Sequence, residues 1–195
     1  MMLESFLVEK MTYSENLLAF ARDMSSVDVD IVELDKPFSV TQETRKELAP
    51  LSDEKREKLI EKGWGEKTVD AIGSEKECEI YEYADLSPIE VNGGEALVRT
   101  DVDYDKKDIF GKTNLERMQD GRPPLDANTK PVELHHIGQK PDSPLAELTQ
   151  KEHRGAGNDN ILHDKMKESE IDRESFAKER AEYWKARADK IIGGS

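Results

Sequence analysis

The chain has 195 residues and a mass of 22.2 kDa, enough for one domain with an extension or for two small domains. Charged residues make up 37% of it, and no apolar run approaches the roughly 18 residues of a membrane span; Glu4, Glu9 and Lys10 also break the apolar start, so neither a membrane helix nor a classical signal peptide is expected. One cysteine, Cys78, excludes an internal disulfide framework and the four-cysteine zinc patterns, which leaves histidine, asparagine and carboxylates for any metal site.

In chain order, residues 3–24 place Leu17, Phe20, Ala21 and Met24 at helical spacing, and an acidic, β-branched linker or short strand follows. Ser52 suits the N-cap of a helix that carries Leu59 and Ile60 and stops at Gly63. A short helix is expected near KTVDAI, and Ser74 with Glu77 reads as a capping box opening a third helix with Cys78, Tyr81 and Ala84 on one face. The period then changes: two apolar strands flank Asn92-Gly93-Gly94, residues that tolerate the positive φ of a tight hairpin turn. A turn-rich stretch with Gly111, Gly121, Pro123 and Pro124 leads to the strand-like PVELHHIGQ. The chain closes on one long helix, with Phe176, Arg180, Trp184 and Ala188 at four-residue steps, Phe176 and Trp184 turned inward, Glu174 placed to pair with Lys178, and an end near Gly193. These elements divide the chain into residues 1–50 (helix and linker), 51–90 (a small helical module) and 91–195 (the domain that carries the chemistry).

The formal net charge of −14 argues at first against a nucleic-acid partner, but residues 1–110 carry −13 of it and residues 111–195 only −1. All four histidines, His135, His136, His153 and His163, fall within 29 residues of that nearly neutral part. If VELHH ends a strand, the adjacent pair points to opposite sides, so one histidine can ligate a metal while its neighbour faces a substrate. An ion held by a few imidazoles neutralises charge on a phosphodiester while a free histidine deprotonates water, which is metal-assisted phosphodiester hydrolysis. Arg117, Arg122, Arg154 and Arg173 are the nearby side chains suited to phosphate, although Arg117 and Arg122 equally suit pairing with this chain's own carboxylates. The rival reading is a non-enzymatic module in which the histidines hold a structural zinc and the acidic half binds a protein; closed structural sites usually contain thiolates, which this chain lacks.

Several features then occur together: Thr113-Asn114 with Arg117, Leu134-His135-His136, Gln139, Leu145 to Leu148, Glu152-His153, Leu162-His163, and Ile171-Asp172-Arg173 with Tyr183-Trp184. Over roughly residues 95–190 this ordered set resembles the LHH family of the HNH/endonuclease VII superfamily, toxin nucleases found at the C-termini of bacterial polymorphic toxins. The resemblance implies an α+β fold: a ββα-metal core with a β-hairpin and a long C-terminal helix, preceded by a small helical region. It implies that His135 binds one divalent ion (Mg²⁺, Mn²⁺, Zn²⁺ or Ni²⁺), that His136 is the general base, and that LAELT is the second strand. His153 and His163 complete the site, unless Asn158 or Asn160 replaces one of them or His153 instead positions phosphate, because RGAGNDNIL separates the two histidines by more than one helical turn. By the same resemblance the substrate is DNA, or RNA at the same site, a cognate immunity protein is the partner, and the protein is a secreted effector acting in the target-cell cytoplasm, with residues 1–90 the end of a longer delivery polypeptide.

Overall fold

The computed structural model describes residues 48–165 and 167–194, so the helix expected over 3–24 lies outside the described residues. Helices α1 (Asp53–Glu61), α2 (Glu66–Ala71) and α3 (Glu75–Tyr83) come first. Ser52 and Ser74 cap α1 and α3 by accepting hydrogen bonds from the backbone N–H of Lys55 and Glu77. Gly63 ends the first helix at φ 88°, which side chains with a Cβ rarely adopt. The Glu77 carboxylate accepts from Gly73 N–H and from the Tyr81 hydroxyl, so it anchors the turn and the helix interior together.

Strands β1 (Leu86–Val91) and β2 (Gly94–Arg99) form the expected hairpin, with Asn92 and Gly93 both at positive φ. That pair of angles is what a two-residue turn with the right twist requires. Helix α4 (Asn114–Gln119) stands inside the stretch read as turns: Thr113 and Glu116 close a reciprocal capping box, and the fully buried Asn114 bonds to Asp103 and Leu125 across the loops on either side. The density of Gly and Pro around this six-residue helix hid it. Strand β3 (Glu133–His136) pairs antiparallel with β4 (Leu145–Leu148), and β4 pairs in parallel with β2, giving a mixed sheet in the order β1-β2-β4-β3. Helices α5 (Gln150–Arg154), α6 (Asn158–Leu162) and α7 (Arg173–Gly193) follow, so the fold is α+β.

Both faces of the sheet are covered. On one, Leu97, Ala146 and Leu148 join Leu59, Trp64, Val69, Cys78, Tyr81 and Leu162, so the early helices and the sheet share one core. On the other, Ala96, Val98, Leu134 and Leu145 pack against Tyr183, Trp184 and Ala188 of α7. Trp184 is inward as its spacing predicts and Phe176 is half-buried, whereas Glu174 and Lys178 stay exposed and, among the described residues, form no ion pair, since tying down two long side chains in water gains little.

Candidate metal centre

The sheet order leaves β3 at an edge, and register decides where its histidines go. His135 is opposite Ala146, on the face of the early helices, and its ring lies 6.4 Å from that of Tyr81. His136 turns to the other face, where its ring lies 4.5 Å from that of Phe176 on α7. The alternation expected from the adjacent pair is therefore present. Two further histidines reach His135 from α5 and α6. Thr149 and Glu152 form a capping box that starts α5, and Glu152 also accepts from the Arg99 guanidinium at 2.6 Å, tying this helix to the end of β2. The chain breaks at Gly155 and Gly157 and restarts as α6, whose C-cap is His163. This break lets two histidines ten residues apart point at one spot.

The hydrogen bonds around the cluster select the tautomers. His153 donates from Nδ1 to Glu133 Oε2 at 2.6 Å, and His163 donates from Nδ1 to Asp159 Oδ1 at 2.9 Å, so both Nε2 lone pairs are bare. His135 Nδ1 lies 3.1 Å from His153 Nε2, which in turn lies 3.1 Å from His163 Nε2. Burial first, then the neighbouring histidines, holds His135 well below the ordinary imidazole range; burial also lowers His153, so both are neutral at neutral pH. The His153 and His163 Nε2 atoms, whose rings donate from Nδ1, thus meet His135 Nδ1 at one point. A spacing of about 3 Å is what nitrogens around one small cation adopt when each bond is about 2.0–2.1 Å. The residues present fit a divalent metal ion, and His135, His153 and His163 are the three whose ligand atoms come together. Asn158 is engaged elsewhere, donating to the Glu152 carbonyl at 2.8 Å.

A pocket of about 120 Å³ is lined by all four histidines, Gln139, Phe176 and the segment 167–171. His136 is buried at its wall, and both of its ring nitrogens lack a hydrogen bond. Glu179 Oε2 stands 3.1 Å from His136 Nε2, within ion-pair distance but without hydrogen-bond alignment.

The four arginines separate. Arg117 is mostly buried, bonding Asp108 at 2.7 Å and the Pro123 carbonyl, so its guanidinium is consumed within the fold. Arg154 is exposed and shares Glu133 with His153. Arg122 and Arg173 are exposed; Arg122 lies in a groove beside the histidines, whereas Arg173 starts α7 and lines neither that groove nor the pocket. Sequence reasoning missed Glu133, Asp159 and Glu179, whose closeness to the imidazoles depends on the fold; only the i, i+4 spacing of Asp159 and His163 could have flagged one of them.

Residues 113–190 match the model of a protein family, LHH, described as a nuclease of the HNH/ENDO VII superfamily with conserved LHH. The matched span runs from the capping box of α4 through all four histidines into the last turns of α7. No solved structure matches the chain.

Proposed function

We propose, from the match of residues 113–190 to the LHH nuclease family of the HNH/ENDO VII superfamily, that this chain is a metal-dependent endonuclease hydrolysing DNA, with His135, His153 and His163 as ligands and His136 as the general base. The carrying observation is the meeting of three imidazole nitrogens, those of His135, His153 and His163, beside a buried histidine that is not part of their set. Bound there, a divalent ion would supply positive charge to the phosphate and to the oxygen that leaves; an all-imidazole set favours a transition metal over Mg²⁺.

The protein's own groups do the rest. Glu133 and Asp159 keep the Nδ1 protons of His153 and His163 and so keep the ligand nitrogens free. His136 takes the proton of the attacking water at Nδ1, while Glu179, facing Nε2, stabilises the imidazolium that forms. The Phe176 ring against His136 fixes the ring plane and keeps solvent from that face. We also propose, on the family resemblance, that the protein is an interbacterial effector neutralised by an immunity protein; rapid loss of viability on cytoplasmic expression, absent for His136→Ala, is the expected result.

Purified protein incubated with supercoiled plasmid and with total RNA, with chelator and with each of Mg²⁺, Mn²⁺, Zn²⁺ and Ni²⁺, tests the activity. Metal-dependent nicking of plasmid is expected. Cleavage of RNA alone keeps the site and replaces the substrate. No cleavage of either by folded, metal-loaded protein rejects the enzymatic reading in favour of a zinc-stabilised binding module.

A further inference from the structure

We propose that the groove beside the histidine pocket, between the first half of α7 and the loop that leads into β3, carries the sugar-phosphate backbone of the substrate, and that Arg180 is a positioning residue that grips one of its phosphates. This rests on the nuclease reading above. Arg122, Arg154 and Arg180 all line this groove, and His153, Leu134 and Phe176 line both groove and pocket, so the two are continuous. Ala177 and Ala181 form part of its α7 wall, where short side chains let a backbone approach. The Arg180 guanidinium lies 4.9 Å over the Phe176 ring, and the same ring lies 4.5 Å from His136. Arg180 is thus held in place by an aromatic face rather than by a carboxylate.

Charge decides the kind of occupant. Among the described residues neither Arg122 nor Arg180 makes an ion pair, and Glu133, already shared by Arg154 and His153, is the one carboxylate lining the groove. On a chain of net charge −14, two exposed unpaired arginines in one concave surface form a local anion site. Guanidinium forks suit phosphate oxygens in two-point contact, and spacing along a groove suits a polymer better than a single anion. Arg180 escapes sequence reasoning because its four-residue spacing with Phe176 and Trp184 places it on a packing face.

The test measures binding of a fluorescein-labelled DNA duplex by anisotropy in chelator, where no cleavage intervenes, and then cleavage kinetics with metal. For Arg180→Ala the duplex affinity is expected to fall about tenfold, the salt-dependence slope to drop by about 1, and KM to rise with kcat little changed. Arg180→Lys should recover the slope but not the full affinity, and Lys178→Ala, the loss of an exposed charge two residues away outside the groove, should match the wild type. Circular dichroism identical to the wild type shows that the variants are folded. Equal duplex affinity for wild type and Arg180→Ala overturns the proposal, as does displacement of the duplex by polyglutamate at equal charge concentration. If Arg180→Ala weakens binding while the wild-type protein cuts nothing, the groove stands and the nuclease mechanism falls; cleavage by the wild type with an unaffected Arg180→Ala sinks the groove alone.

Discussion

At the scale of single residues, the site depends on groups that never touch the substrate. Glu147 is fully buried in β4 and accepts from the Arg99 backbone N–H at 2.9 Å, from the Tyr183 hydroxyl at 2.9 Å and from Arg187 at 3.3 Å. Burial raises its carboxyl above the ordinary range and Arg187 opposes that shift, so the pair is a fixed link between β2, β4 and α7. Removing one member leaves a buried charge without its partner. Glu147→Ala should therefore cost about 3–5 kcal/mol, read by urea unfolding; a loss below 1 kcal/mol would show that the network is ornamental. Cys78 behaves in the opposite way: it is buried among apolar side chains, and burial pushes its thiol up to about 12, so it is a packing residue. At this scale the sequence disclosed the cluster of four histidines and the opposite facing of His135 and His136, because strand alternation is local. It did not disclose the carboxylates that set their tautomers, or that Arg117 is spent on Asp108, because those partners are brought up by the fold.

Among the elements, the break between α5 and α6 determines whether a triad exists at all. Gly155 is the C-cap of α5, and a Cβ built there would lie 2.1 Å from the Lys151 carbonyl oxygen. The backbone has to shift to accept any side chain, and His153 and His163 sit on either side of the shift. Gly155→Ala is expected to weaken metal affinity at least tenfold, measured by calorimetry, while a neighbouring change at the exposed Lys151→Ala leaves it unaltered. Unchanged affinity in Gly155→Ala would mean that the two short helices are not what aims the histidines. RGAG was readable as a break, and Asn92-Gly93 as a hairpin turn, since each is local backbone chemistry. The parallel pairing of β2 with β4 was not readable: Ala96 and Leu145 are 49 positions apart, and their pairing follows from how the two cores close over the sheet.

For the whole molecule, the acidic excess acts on stability as well as on recognition. Glu75, Glu82, Asp101, Glu116, Asp159 and Asp172 are all held below their ordinary values by helix caps, backbone N–H groups or cationic partners. A carboxylate lowered in the folded state stabilises the fold above its unfolded pKa, about 3.9 for Asp and 4.3 for Glu, and that contribution is lost as pH falls through the lower folded value. Glu147 runs the other way, since its raised carboxyl favours the fold on protonation, but it is one group against six. The melting temperature should thus drop steeply between about pH 5 and pH 3, followed by calorimetry; a rise over that interval would contradict the assigned contacts. Along the sequence the acidic excess lies in residues 1–110, at −13, whereas Arg122, Arg154 and Arg180 line the groove beside the histidines.

The central claim is that three histidines hold the metal and the fourth does the proton transfer. Plasmid nicking by His136→Ala, with metal content determined on the same sample, tests it most directly. One metal per chain with nicking reduced at least a hundredfold is the predicted result; a His136→Ala protein that nicks as fast as the wild type, or that has lost its metal, would contradict it.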